Sequence, residues 1–252
     1  MSRSKSGKSA RGGPSPQILR ALLRLREMIV TGELPASRRV PELQLVERVG
    51  VSRTPLRLAM EQLAHEGLLV RRATGGFVVR EFTPKEVRDA IELRGALEGT
   101  AARLAAERGL SAEERDSLFG LVDASDVIVS KAADTLPDFQ EYLNANERFH
   151  GRLVELSGNG WLQGVMAQVT SLPFASPNAF VLTQATSSDA RRVLTIAQEH
   201  HRAIADAIAG RDCARADALA REHARLALRY LDSVIRDRER FGRLPGAALV
   251  RL

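Results

Sequence analysis

Residues 50–57 read GVSRTPLR, and this stretch decides how the first third of the chain folds. It has the form of a helix start. Ser52 is a suitable N-cap residue, with a side-chain oxygen able to accept from a first-turn N–H. Pro55 falls inside the first turn, where a missing N–H costs little. Arg53 and Arg57 stand four residues apart and share one helical face. Two like charges on one face repel mildly unless something negative lies opposite, and phosphate is the natural partner.

The surroundings of this stretch support that reading. Residues 1–82 carry 15 Lys and Arg against 7 Asp and Glu, whereas residues 83–252 carry 22 against 24. The basic excess belongs to the first third, as expected of a nucleic-acid-binding module joined to a near-neutral partner domain. At 252 residues, 44% of them hydrophobic and 27% charged, the chain has ordinary globular composition and room for two modest domains. Cys213 is its single cysteine, so no internal disulfide forms, which fits a reducing cytoplasm. No apolar run approaches the roughly 18 residues of a membrane span, and no signal-peptide core opens the chain. The expectation is a soluble intracellular protein, not associated with a membrane.

Residues 1–16 are rich in Ser, Gly, Lys and Arg and are expected to form a disordered basic tail. From Gln17, Ile18, Leu22, Leu25, Met28 and Ile29 recur at helical spacing up to Gly32. A connector, ASRRV, leads to a second helix from Pro41 to Gly50, and the third runs from Ser52 until Gly67 stops it. LLVRRA and FVVREF then read as two short strands around a turn at Gly75 and Gly76. Three helices followed by a β-hairpin make a winged helix-turn-helix over residues 17–82. In that motif the start of the third helix faces the major groove of double-stranded DNA. The expected contacts are Ser52, Arg53, Thr54 and Arg57, with Arg71, Arg72, Gly75 and Gly76 from the wing. From Pro84 the texture is that of long Ala- and Leu-rich helices, predicting an all-α bundle over 83–240 and a C-terminal tail over 241–252. The fold class is therefore mostly α.

Four of the five histidines fall in the bundle. Asn146 and His150 are four apart on one helix. His223 shares an apolar stripe with Leu219, Leu226 and Tyr230. His200 and His201 are adjacent, and periodicity does not choose between them. Three inward imidazoles from three helices suit a divalent metal such as Zn, Ni or Cu; the plain alternative is three satisfied core histidines.

The run ELQLVERVGVSRTPLRLAMEQLAHEGLLVRRATGGFVV closely resembles the DNA-binding half of GntR-family transcriptional regulators. Two positions depart from the pattern: Leu58 stands where Glu is common, and Leu43 where some relatives carry a DNA-contacting Arg. IELRGALEGTAARLAAERG, NERFHGRLVELSGN, EHHRAIADAI and REHARLA resemble the FCD ligand-binding domain of FadR-type members. That resemblance implies a metal held by Asn146, His150, His201 and His223, with Asn146 replacing the carboxylate many relatives carry there. Zinc is the leading metal, with nickel or manganese as alternatives. The resemblance also implies that Arg94 lies near the cavity and pairs with an anionic effector. SLPFASPNAFV is similar to a segment of the vanillate-responsive VanR regulators, which implies an aromatic-accepting wall that includes Phe174 and Phe180. The resulting expectation is a homodimeric, ligand-responsive repressor, not an enzyme. It would leave a near-palindromic operator when a small carboxylate, with an aromatic acid such as vanillate leading, binds. An architectural DNA-binding protein without effector is the alternative. A DNA-docked metal-dependent hydrolase is the weaker one, because no HExxH motif or placed general base accompanies the histidines.

Overall fold

Helix α1 (Pro16–Val30) begins where Ser15 Oγ accepts from Ile18 N at 3.4 Å and Pro16 fills the first turn. Ser15 and Pro16, assigned to the tail from sequence, therefore belong to the helix. The computed structural model describes residues 15–131, 136–179 and 190–252; the expectation for the rest of the basic N-terminal stretch lies outside them. The chain divides into two units, Met1–Arg80 and Glu81–Leu252.

In the first unit, α1 is followed by α2 (Glu42–Val49) and α3 (Arg53–His65). Gly50, at φ +69°, makes the tight turn between α2 and α3 in the left-handed conformation that glycine adopts without strain. Leu25, Met28 and Ile29 of α1, Leu45 of α2, and Leu56, Met60 and Leu63 of α3 form the buried core. Strands β1 (Leu69–Arg71) and β2 (Phe77–Val79) pair antiparallel with Val70 opposite Val78. The connector ASRRV is more than a link. Ser37 N donates to Val79 O at 2.9 Å, Val79 N to Arg38 O at 3.1 Å, and Val40 N to Phe77 O at 2.8 Å. This segment thus supplies the outer edge of β2 with backbone partners.

The second unit is helical, as its composition predicts. Helix α4 (Pro84–Arg108) starts with a capping box between Thr83 and Glu86. Helix α5 (Ala112–Lys131) starts with a capping box between Ser111 and Glu114. Then come α6 (Leu136–Leu156), α7 (Gly160–Thr170), α8 (Ala190–Ala209), α9 (Cys213–Ile235) and the short α10 (Arg238–Gly242). Ala101, Ala105, Leu118, Phe149, Leu153, Ile204, Ile208 and Ala220 meet in its main core. Among the described residues no helix is long and apolar enough to cross a membrane.

Helices α4 and α9 approach so closely that side chains are excluded between them. A Cβ on Gly95 would lie 2.7 Å from Ala224 Cβ, and one on Gly99 would lie 2.5 Å from Asp217 Oδ1. Residues 241–252, expected as a tail, are folded. Phe241, Leu244 and Leu249 are buried, Phe82 N donates to Leu249 O at 2.7 Å, and Arg251 N donates to Phe82 O at 2.9 Å. Gly242, Pro245 and Gly246 interrupt the segment, and its apolar residues are spaced too irregularly to show a period, so this order was not visible in the sequence.

Gly95→Ala is expected to destabilise the protein by about 1–3 kcal/mol, because overpacking outweighs the gain in helix propensity. Gly120→Ala, in a helix and with nothing within 4 Å of the new Cβ, should instead be neutral or stabilising by up to about 1 kcal/mol. Urea unfolding of the two variants checks both signs.

Candidate DNA-binding surface and metal centre

Ser52 occupies the N-cap position of α3 but makes no side-chain capping bond, contrary to the sequence expectation. One of the two first-turn donors an N-cap can use is missing here, because the residue three positions on is Pro55, which has no N–H to give. Ser52 Oγ and the N–H groups of Arg53 and Thr54 are therefore left for an outside partner, at the positive end of the helix dipole. Ser52, Arg53, Thr54 and Arg57 are all exposed. Neither arginine forms an ion pair among the described residues, so both guanidinium groups are available to phosphate or to a guanine edge. Leu43 and Leu58 are also exposed, at 64% and 49%, so their departures from the family pattern leave the core intact.

The wing is less free. Arg71 Nη1 lies 3.2 Å from Glu61 Oε1, so this arginine is shared with a carboxylate on α3. Arg72 closes the turn through its backbone, its carbonyl accepting from Gly75 N at 3.0 Å and its N–H donating to Gly76 O at 3.1 Å. Gly75 and Gly76 have φ of +85° and +79°. Arg39 was missed from sequence. Its Nε lies 3.3 Å from where a Cβ on Gly76 would stand, so its guanidinium lies against the wing turn. The pair Arg38–Arg39 was the available signal, hidden because the segment reads as a connector.

In the helical unit, His150 of α6, His201 of α8 and His223 of α9 converge. His201 Nε2 is 3.1 Å from His223 Nε2, which is 3.3 Å from His150 Nε2. All three side chains are buried. The structure brings His201 to this point; the ring of His200 stands 5.9 Å from that of His223 and is outside the cluster. Phe149 packs against the His201 ring with centroids 4.1 Å apart.

The proton bookkeeping of these rings decides what they can hold. Gln198 Nε2 donates to the Val122 carbonyl at 2.9 Å, which leaves Gln198 Oε1 facing His201 Nδ1 at 3.0 Å. That nitrogen must carry the proton, so His201 Nε2 is a bare lone pair. Glu98 Oε1 lies 2.9 Å from His150 Nδ1 and accepts its proton in the same way, leaving His150 Nε2 bare. Burial pushes the Glu98 carboxyl up, but Arg94 and His150 outweigh it and hold it at about 2. Burial and the neighbouring imidazoles push His201 and His223 well below the usual imidazole range, so both are neutral near pH 7. His223 can donate to only one of two facing lone pairs. A cation satisfies all three, and tetrahedral Zn–N bonds of about 2.0–2.1 Å place neighbouring donors roughly 3.3–3.4 Å apart. The donor set fits a divalent metal, with carboxylate and amide partners orienting the ligands from behind. Glu98 escaped the sequence reading because it lies 52 residues from His150, and Gln198 because a neutral amide three residues before a histidine carries no ligand signal of its own.

Asn146 is buried beside this cluster. It lines a cavity of about 40 Å³ with Arg94, Tyr142 and His223. Its Nδ2 donates to Asn178 Oδ1 at 2.8 Å. Arg94 is a buried residue, with Nη1 3.3 Å from Glu98 Oε1 and Nε unpartnered among the described residues. Burial pushes the Tyr142 phenol up, so it remains a proton donor. A second, open cavity of about 400 Å³ meets the cluster at His150 and Glu98. Phe174 lines neither cavity. It packs on Phe241 with ring centroids 5.8 Å apart and on the backbone at Gly246. Phe180 lies outside the described residues.

Comparison with known proteins gives the same division of the chain. Residues 17–79 match the gntR family of bacterial regulatory proteins, and residues 89–226 match the FCD domain. The chain is 31% identical over 159 residues to the HTH-type transcriptional regulator YdhC of Bacillus subtilis, covering 63% of this chain and 69% of that protein. It is 42% identical over 78 residues to the probable D-xylose utilization operon transcriptional repressor of Paenarthrobacter nicotinovorans, 31% of this chain and 34% of that protein. Among solved structures, E. coli McbR/YncC superposes with a TM-score of 0.63 at 20% identity, covering 87% of this chain and 98% of that one; this likeness speaks for the fold.

Two expectations follow from the geometry. Arg53→Ala and Arg57→Ala should each weaken operator binding, by about 1–3 kcal/mol where a base contact is lost, without lowering the melting temperature. Fluorescence anisotropy on labelled DNA reads the first effect and thermal melting the second. Elemental analysis after zinc loading should find far less metal in His201→Ala than in His200→Ala; equal content would remove His201 from the site.

Proposed function

This chain belongs to the GntR family of DNA-binding transcriptional regulators and carries an FCD domain, and from that premise we propose that it is a ligand-released repressor. The effector is a small carboxylate that reaches a divalent metal, zinc first, held by His150, His201, His223 and Asn146. The single observation that carries this reading is the convergence of three buried Nε2 atoms, among which His223 can satisfy only one of the two lone pairs that face it.

Charge supports the choice of effector. Three neutral imidazoles and an amide leave the ion its full double charge, while Arg94 and Glu98 neutralise each other. A buried dication with open coordination positions favours an anion. Arg94 Nε, without a partner among the described residues, and the neutral Tyr142 phenol are donors on the same cavity. At about 40 Å³ this cavity favours a compact anionic group over a bulky ring. The aromatic wall expected of Phe174 and Phe180 has no support from the position of Phe174, so a small aliphatic carboxylate now leads over vanillate-like acids.

Repression fits the relative from Paenarthrobacter nicotinovorans, whose name describes a repressor. A homodimer would set two copies of α3 in successive major grooves of a near-palindromic operator, in the cytoplasm on the nucleoid. Effector binding need favour a spacing-incompatible state by only a few kcal/mol to release DNA.

The test is melting temperature and operator affinity against a panel of small carboxylic acids, with and without prior chelation. A carboxylate at about 100 times its dissociation constant should stabilise the metal-loaded protein by about 2.7 kcal/mol, a shift of roughly 5–10 °C, and lower operator affinity. Stabilisation that survives chelation, or that leaves DNA binding unchanged, contradicts the proposal.

A further inference from the structure

The segment after α7 reaches back to the buried face of α6 through one residue. Asn178 Nδ2 donates to the Leu143 carbonyl at 3.0 Å, and Asn178 Oδ1 accepts from Asn146 Nδ2 at 2.8 Å. A backbone carbonyl can only accept, so it fixes which end of the Asn178 amide faces it. The opposite end is then an oxygen, and only a donor satisfies it. Asn146 is thereby turned so that its Nδ2 meets Asn178 and its carbonyl oxygen is left without a partner among the described residues. If Asn146 were reversed, two carbonyl oxygens would face each other at 2.8 Å. The backbone of Asn178 is held as well, with its N–H donating to Ser176 Oγ at 3.1 Å.

We propose that Asn178 is a positioning residue that orients Asn146 to offer an oxygen, and not an N–H, to the metal centre. The proposal rests on the metal reading given above and deepens it. It also explains why an amide stands at position 146. With Asn178 Nδ2 held by the Leu143 carbonyl, Asn178 Oδ1 requires a hydrogen-bond donor opposite, and an ionised carboxylate at 146 has none to give. The amide at 146 and the amide at 178 are one device, matched across two segments 32 residues apart. It parallels Val122, Gln198 and His201, where a carbonyl likewise fixes an amide and the amide fixes a ligand.

The test is a double-mutant cycle on zinc affinity in the full-length protein, measured by competition with a chromophoric chelator. Asn178→Ala should weaken zinc binding roughly 10–100-fold, the range expected when a partner behind a metal ligand is lost. Asn146→Ala should weaken it at least as much, and the double variant should be no weaker than Asn146→Ala alone. Asn178→Asp separates positioning from support. Its carboxylate still accepts from Asn146 Nδ2 but opposes the Leu143 carbonyl, so the chelated protein should melt lower while zinc affinity stays within a few-fold of wild type. Wild-type zinc affinity in Asn178→Ala, effects of the two alanine variants that multiply in the double, or an Asn178→Asp variant as weak as Asn178→Ala would each overturn the proposal. His201→Ala, run alongside, tests the metal reading separately. Zinc affinity unchanged by that substitution would overturn the metal centre, and the role of Asn178 with it.

Discussion

The close approach of α4 and α9 is the constraint on which the effector unit depends. Gly95 and Gly99 put no side chain of their own into the contact, so the backbone of α4 there lies against Ala224, Asp217 and Arg221. At that separation, Arg94 and Glu98 are carried into the interior from the same turns of α4, beside His223 from α9. A β-carbon at Gly95 would push the helices apart, and with them the carboxylate that orients His150. A residue type chosen for packing thus controls the electrostatics of a site on the same helix.

Inside that frame, the buried polar groups form a sequence of obligations that begins at main-chain carbonyls. The Val122 carbonyl fixes Gln198, and Gln198 fixes the His201 tautomer. The Leu143 carbonyl fixes Asn178, and Asn178 fixes Asn146. Arg94 keeps Glu98 ionised, and Glu98 accepts a hydrogen bond from His150 Nδ1. His150, His201 and Asn146 are each oriented by a group that is itself held, because an unpaired polar atom at this depth costs about 1–3 kcal/mol, whereas His223 Nδ1 has no such partner among the described residues. The bare Nε2 atoms of His150 and His201 both face His223 Nε2, which can donate to only one of them, an arrangement that a cation relieves.

Much of this was legible in the chain itself. The winged helix announces itself through GVSRTPLR, the glycine pair of the wing, and a basic excess confined to the first third. The bundle announces itself through its apolar periodicity. His150 and His223 stand out because a polar ring on an inward-facing stripe must find its partners inside the protein. The missing features share a physical cause. Glu98 and Gln198 act on histidines of other helices or at unmarked spacing, and Asn178 acts across 32 residues from a segment without periodicity. Arg39 looked like part of a connector until backbone pairing set it against Gly76. Ser52 looked like a capped helix start because cap propensity is a property of one residue, whereas the bond needs a first-turn N–H, and one of the two it can use is missing at Pro55.

By itself, then, the sequence determined the elements, the division into two units, the exposed arginines at the start of α3 and three histidines facing inward, since all of these follow from local chemistry and period. Only the tertiary structure decided that Arg94 is buried against Glu98, that Phe174 serves the C-terminal segment and not the cavity, and that Asn146 is turned by Asn178. Those outcomes depend on which atoms meet across elements distant in the chain, and a hydrogen bond or a metal site is defined by distances of about 3 Å that no periodicity encodes.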